Sequence, residues 1–263
     1  YEMRQLAIAS FIGCPIVRKW SGSDIYYALN DSEICQSTIE FNKIVSLNLT
    51  SEHEGIVEEL KSIGLKSTLT PQVINDIPQL LSSKVSKSVL VYLPDCRYEF
   101  YGFSYIEKLI TNYPSVDFVI IADTLHSLAK YQNVTSMGWV DDMDPIWERI
   151  GLLIRITEHD GFPRSIVEAL VRKKFVIHNR KFPGCWYASS QEELEKSVER
   201  FLVIETVNNE GDSFIKELVS GAPVTTLHET LSRVNVSLMG RLVALYYVCK
   251  TFIHVLKKYL LIN

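Results

Sequence analysis

An α/β protein built on a doubly wound parallel sheet is the fold class this sequence predicts, and three observations predict it. Between residues 88 and 205, short apolar runs alternate with segments of helical periodicity. The runs (88–93, 117–122, 134–137, 152–156 and 175–178) are four to six residues long and mostly lack an apolar/polar alternation. That is the pattern of strands buried on both faces. The composition, 47% hydrophobic and 22% charged over 263 residues, suits a packed core rather than disorder and is enough chain for two modest α/β domains or one large one.

Taken in order, residues 3–12 read as the end of a helix. A short apolar run, Pro15-Ile16-Val17, leads to Trp20-Ser21-Gly22-Ser23-Asp24. Lys43–Leu47 reads as a buried strand. Residues 51–63 read as a helix, because Ser51 and Glu54 have the spacing of a capping box and Gly64 supplies the stop. Ser67–Thr70 is a short strand ending at Pro71, and the polar stretch 75–87 is a linker. Beyond it the strands 88–93, 117–122, 134–137, 152–156 and 175–178 are joined by helices at 103–112, 144–149, 163–172 and 190–201.

From 206 on the chain reads as helical. Leu242, Leu245, Tyr246, Cys249, Phe252, Ile253, Leu256 and Leu260 fall on one helical face, interrupted elsewhere by Arg241, Lys250, His254, Lys257 and Lys258. These charges disfavour a transmembrane span, which wants about 20 mostly apolar residues. Two readings stay open for 237–261: a helix docked on a core, or a membrane-surface helix with a basic face, giving peripheral membrane contact.

A net charge of −4 and a pI near 5.9 argue against a nucleic-acid partner. The five cysteines are scattered, without a C-x-x-C pair, and read as reduced thiols of a cytoplasmic protein. The six histidines have no zinc-ligand spacing. No signal peptide is visible, and a start at Tyr1 rather than Met leads one to expect further sequence before it. No G-x-G-x-x-G run marks a nicotinamide-type site.

The stretch with most chemistry is Arg155–Leu170: a strand end, a Gly-containing loop, and a helix beginning near Pro163. Proline suits a first helical turn because its missing N–H has no partner there. The amides of Arg164 and Ser165 then project from the helix N-terminus, where they and the dipole form an anion site. That site lies at the carboxyl end of a parallel strand, where open α/β sheets bind ligands. Glu168, eight residues after Asp160, faces the same crevice, and its carboxylate can accept two hydroxyl hydrogen bonds from a ribose diol. Asp160, in the loop, faces the group beyond the phosphates. On spacing alone a plainer reading stands beside this one: Asp160 as a cap and Glu168 as a solvated helix residue.

Asp160-Gly161-Phe162-Pro163 followed by Glu168-Ala169-Leu170 resembles the E-x7-E signature of retaining GT-B glycosyltransferases of the large family 4 type. Lys173–Ile177 is similar to that family's G-x-P-V-I strand, Asn133–Val140 to its N-V-x-x-x-G strand, and Ser88–Leu93 to the first strand of its donor domain. The resemblance covers residues 85–200 well. Trp20–Asp24 and Ser51–Leu65 resemble elements late in the acceptor domain of such enzymes. It implies a GT-B-like chain of Rossmann-type sheets. Residues 1–84 would be an incomplete N-terminal, acceptor-side domain, 85–205 the nucleotide-sugar-binding domain and 206–263 a helical tail.

The resemblance also implies roles. Glu168 would bind the nucleotide ribose, Asp160 the donor sugar, and the backbone through Gly161, Phe162, Pro163, Arg164 and Ser165 the pyrophosphate. Arg97 falls near an arginine that neutralises the leaving diphosphate, but Tyr101 stands where the family has lysine. Arg155 or Arg164 would supply the missing charge, or would pair with a nearby carboxylate. Asp for the first Glu shortens its reach, and Pro163 removes an amide from the cradle. Asp24 is either an acceptor or interdomain contact or a turn cap.

The implied activity is transfer of a sugar from a nucleotide-diphosphate-sugar donor to a glycan or lipid-linked acceptor, retaining, with no metal or cofactor. The competing readings are a non-catalytic sugar-nucleotide-binding or partner subunit, and a metal-dependent transferase using Asp142-Met143-Asp144.

Overall fold

A computed structural model of the chain describes residues 2–50, 54–70, 85–220, 229 and 231–260. They fall into two units, residues 1–73 with 222–263, and residues 74–221.

The first unit runs α1 (Glu2–Phe11), β1 (Val17–Trp20), α2 (Gly22–Asn30), α3 (Ser32–Asn42), β2 (Leu47–Thr50), α4 (Glu54–Ser62) and β3 (Thr68–Leu69). Its strands are parallel in the order β1-β2-β3, with Val17 opposite Leu47 and Thr50 opposite Leu69. The core gathers Trp20, Ile25, Ala28, Ile56, Leu60 and Leu65. The buried Trp20 indole donates to Asn48 Oδ1 at 3.0 Å, and the Arg18 guanidinium stacks 3.7 Å above its ring, so the aromatic satisfies both its apolar body and its polar edge.

Two features depart from the sequence reading. Helices α2 and α3 occupy a stretch with no assigned element, and they meet at Asp31, whose carboxylate accepts the Glu33 and Ile34 N–H groups. The strand expected at Lys43–Leu47 lies later, at Leu47–Thr50, because the chain there is still closing α3: the Ile44 N–H bonds back to the Phe41 carbonyl. The proposed Ser51 cap and most of the 75–87 linker lie outside the described residues.

The second unit contains β4 (Ser88–Tyr92), α5 (Phe103–Asn112), β5 (Phe118–Ile121), β6 (Val134–Gly138), α6 (Asp144–Arg149), β7 (Ile150–Arg155), α7 (Arg164–Val171), β8 (Phe175–His178), β9 (Trp186–Tyr187), α8 (Gln191–Val203) and α9 (Asn209–Ser220). All six strands are parallel, in the order β6-β5-β4-β7-β8-β9. Successive side chains of the four inner strands, β5, β4, β7 and β8, enter different cores. Leu90, Val119, Leu153 and Val176 form one rung and pack with α6 and α7. Val91, Ile120, Ile154 and Ile177 form the next and pack with α5 and α8. A sheet buried on both faces needs apolar residues at every position, which is why these strands read as unbroken runs.

The stretch from 206 on is shared between the units. Helix α9 packs on α7, with Ile215 in the core beneath it. The last helix, α10 (Leu238–Leu260), packs on α1 of the first unit, where Ala7, Ile44 and Ala244 are buried together and the Tyr247 hydroxyl donates to Glu40 at 2.7 Å. No helix among the described residues is long and apolar enough to cross a membrane.

Gly151, near the start of β7, is a close-approach position. A Cβ there would stand 2.0 Å from the Ser86 carbonyl oxygen and 2.9 Å from the Phe201 ring. Because the first obstacle is backbone, Gly151→Ala is expected to destabilise the second unit by about 1–3 kcal/mol, the cost of overpacking. A lowered midpoint in chemical denaturation would show it, and an unchanged midpoint would refute the tight approach.

Candidate functional site

In strand order the sheet reverses direction between β4 and β7, since β4 is followed on one side by β5 and on the other by β7. A crevice at the carboxyl ends of the strands at such a switch point is where open α/β sheets take ligands. Here those ends are Tyr92 and Arg155.

The loop from 156 to 163 is held from below. Asn179, just past β8, clamps it by accepting the Thr157 N–H at 3.2 Å and donating to the Thr157 carbonyl at 2.7 Å. Thr157 Oγ1 in turn donates to the His159 carbonyl at 2.7 Å. Phe162 is buried edge-on against Phe182, with ring centroids 5.4 Å apart. Pro163 has extended backbone and is the N-cap of α7 rather than its first helical residue, and no side chain caps that end. The Arg164 and Ser165 amides therefore open the helix, as the sequence suggests, and the Ser165 hydroxyl is buried beside them without a hydrogen-bond partner.

Asp160 is anchored in this loop by charge. Its Oδ2 accepts from Arg155 Nε at 2.5 Å, and both side chains are largely buried. The Arg155 guanidinium also lies 5.2 Å from the Tyr92 ring and 5.7 Å from the Tyr101 ring, and the two tyrosines pack edge to face. His178, at the end of β8 and fully buried, places Nε2 3.7 Å from the same Asp160 oxygen, beyond hydrogen-bonding distance. His178 Nδ1 accepts the Arg180 N–H at 2.7 Å, so the neutral ring carries its proton on Nε2, toward Asp160. Burial works to raise the Asp160 pKa, but His178 and Arg155 outweigh it and hold the carboxyl below its ordinary value. Burial pushes His178 the other way from protonation, below its ordinary value, against the pull of Asp160.

A cleft of about 760 Å³ lies alongside, walled by Tyr92, Ala122, Trp139, Asp142, Ser165 and Glu168 among others. Glu168 Oε1 accepts from Arg164 Nε at 2.8 Å, and Arg164 is otherwise exposed. Also in the lining, Asp142 Oδ1 accepts the Asp144 N–H at 3.0 Å and Asp144 pairs with Arg172, so one carboxylate of this Asp-x-Asp pair closes a local turn and the other is ion-paired. Ala122, at the end of β5, has a φ of +67°, a strained value of the kind that clusters at functional sites.

Among the residues singled out from sequence, the cleft lining includes Arg164, Ser165 and Glu168, while Asp160 and Arg155 meet each other at the neighbouring strand ends and share Tyr92 with it. Gly161 and Phe162 are buried in the loop between them. Both Arg155 and Arg164 pair with carboxylates, the alternative left open for them. Arg97 is exposed in a 3₁₀ turn, 5.5 Å from the Phe100 ring, and is not among the cleft-lining residues. Its turn is pinned at both sides. Asp95 accepts the Thr124 N–H at 2.6 Å, and the Tyr98 hydroxyl donates to the buried Asp123 at 2.8 Å. Asp24 lies in the first unit, where its Oδ2 accepts the Ser21 N–H at 3.3 Å and the Ser21 hydroxyl at 2.7 Å, closing a capping box on α2. Three residues of the site escaped the sequence reading: Tyr92, Trp139 and His178. Each is a strand-end or strand-exit residue, and position at a carboxyl end was the signal available.

No protein-family model matches the sequence, and no curated protein matches it. Solved structures do match in fold. The Anabaena protein Alr3699/HepE, in complex with UDP and glucose, superposes with a TM-score of 0.69 at 16% identity, covering 88% of this chain and 76% of that one. A mutant of S. aureus TarM, in complex with fondaparinux, alpha-GlcNAc-glycerol and UDP, gives 0.60 at 12%, covering 76% and 46%. The lipopolysaccharide outer core galactosyltransferase WaaB gives 0.57 at 12%, covering 88% and 77%. The chain thus has the fold of the GT-B glycosyltransferases.

The pH dependence of stability follows from the signs of the two shifts. His178 is harder to protonate folded than unfolded, so its contribution is present above its ordinary 6.5 and is lost as pH falls toward its folded value. Asp160 is more acidic folded than unfolded, so its contribution is present above 3.8 and is lost as pH falls through its folded value. Thermal melting is expected to drop in two stages on acidification, beginning near pH 6.5. His178→Asn should remove the first stage and shrink the second, because His178 helps hold Asp160 below its ordinary value, and a melting curve independent of pH between 7 and 5 in the parent would contradict this.

Proposed function

We propose that this chain transfers a sugar from a nucleotide-diphosphate-sugar donor to a glycan or lipid-linked acceptor. One observation carries the reading: the uncapped N-terminus of α7 opens at the carboxyl end of β7, and one turn later Glu168 lines an adjoining cleft. The amide-bearing end is suited to a diphosphate and the carboxylate to the ribose diol that is covalently attached to it. The fold it shares with structures holding UDP supports the same reading.

In this mechanism the amides of Gly161, Phe162, Arg164 and Ser165 hold the pyrophosphate around Pro163, which has none to give, and the Ser165 hydroxyl, buried without a partner, adds a donor. Glu168 keeps one oxygen on Arg164 and turns the other to the ribose. Asp160 orients the donor-sugar hydroxyls. Cleavage of the sugar–phosphate bond leaves negative charge on the diphosphate, and preorganised cations and amides stabilise that charge in the transition state. Arg97, in its pinned turn, and Arg155 are the cations assigned to it. No metal or other cofactor takes part, and the configuration of the sugar is retained.

A second reading is favoured by one residue. Tyr101 stands where a lysine would be expected, packed against Tyr92, and a phenol carries no positive charge to offer a diphosphate. A chain lacking that cation would bind a sugar nucleotide without turning it over, as a partner subunit.

Calorimetric titration with UDP-, GDP- and ADP-sugars tests the donor site. Saturable binding to one nucleotide class is expected, weakened about ten- to a hundredfold in Glu168→Gln, the range for losing hydrogen bonds to a charged group. No binding across the panel would overturn the donor-site assignment. In a donor-hydrolysis or transfer assay, Arg155→Met should lower kcat by about 10²–10³, with Arg155→Lys, which keeps a cation beside Asp160, restoring part of it. Binding without turnover in the parent would select the partner-subunit reading.

A further inference from the structure

Helix α10 carries two different faces, and the structure uses the smaller one. Gly240, Ala244, Tyr247 and Val248 turn toward α1 and the Ile44 region. The larger apolar face, set by Leu238, Met239, Leu242, Leu245, Tyr246 and Cys249, points outward, and Leu238, Met239, Leu242 and Tyr246 are each more than half exposed. It does not stand alone. The end of α1 exposes Ile8, Phe11 and Ile12, and Arg241 lies 3.1 Å from where a Cβ of Gly13 would be. The end of α1 and the start of α10 are therefore adjacent, and their exposed apolar residues belong to one surface.

Charge identifies the occupant. From 231 to 260 the chain has five Lys and Arg and no Asp or Glu, in a protein whose net charge is −4. At about 100° per residue, Arg241 and Lys250 fall on the two opposite edges of the outward face, and both are exposed. An apolar stripe bordered on each side by cations, whose aliphatic stems extend the stripe while their charges reach upward, matches the apolar interior and anionic headgroups of a bilayer surface. The same border works against a second copy of this chain, because a two-fold interface would set these cations against their own symmetry mates. We propose that the outward face of α10, with the exposed end of α1, docks on an anionic lipid bilayer. The inference rests on this face alone and stands whether or not the cleft binds a sugar nucleotide.

Co-sedimentation of the full chain with phosphatidylcholine vesicles, with and without phosphatidylserine, tests it. Saturable binding to the phosphatidylserine vesicles is expected, falling with added salt and weak on pure phosphatidylcholine. The double variant Leu242→Glu/Tyr246→Glu should bind at least about tenfold more weakly, since it removes two apolar anchors and adds two like charges. It changes exposed positions, so its circular dichroism and melting should match the parent. Val203→Glu, which alters an exposed apolar residue of α8, should bind as the parent does. Failure of the parent to bind phosphatidylserine vesicles, or equal binding by the double variant, would overturn the proposal. So would light scattering that shows a dimer dissolved by the double variant, which would assign the face to a second copy.

Discussion

A parallel sheet cannot connect its strands by hairpins, and that constraint organises the second unit. Every strand must be followed by a crossover that covers a face, so both faces are buried and all strands end at the same edge. The alternation of Leu90, Val119, Leu153 and Val176 with Val91, Ile120, Ile154 and Ile177 is the packing consequence. The chemical consequence is that Tyr92, Ala122, Arg155 and His178, far apart in sequence, arrive together at one rim. Nothing about these residues individually brings them together. The sheet does.

At that rim the charges are already paired. Arg155 holds Asp160, Arg164 holds Glu168 and Arg172 holds Asp144. A buried pair such as Arg155–Asp160 is held more by the cost of breaking it than by its net gain, because removing either partner strands the other away from water. The exposed Arg164–Glu168 pair is worth far less. The rim thus combines a rigid pair close to the strand ends with a labile one at the cleft, and a ligand can exchange partners with the second without disturbing the first.

The strands of the second unit were legible because burial on both faces writes itself as continuous apolar runs, and those at 117–122 and 175–178 agree with β5 and β8 to within about a residue at each end. The turn into α7 was legible because a glycine and then a proline ahead of a helical run mark a loop and a helix start. Much of the first unit was not. Helices α2 and α3 bury only a few residues each, Ile25 and Ala28 on one and Thr38 on the other, so their apolar periodicity is faint. Register placed β2 later than its apolar content suggested, since pairing with Val17 begins at Leu47. The face by which α10 docks was misleading for a simple reason. Its largest side chains point outward, while the contact is made through Gly240 and Ala244, small residues that let helices approach and that carry little weight in a hydrophobic pattern. His178 and Tyr92 were visible only as strand residues, because their roles at the rim depend on which strands become neighbours.

The first unit is discontinuous in sequence, made of residues 1–73 and 222–263, with the second unit inserted whole between them. This gives the two units different histories on the ribosome. The inserted unit closes over contiguous chain and can complete its sheet as soon as its own residues emerge. The first 73 residues cannot finish: Ala7 and Ile44 lack their partner until Ala244 has been made, some two hundred residues later in an N-to-C synthesis. During that interval α1 presents an apolar seam that α10 later covers, so the packing of the first unit waits on a helix far downstream of the strands it completes.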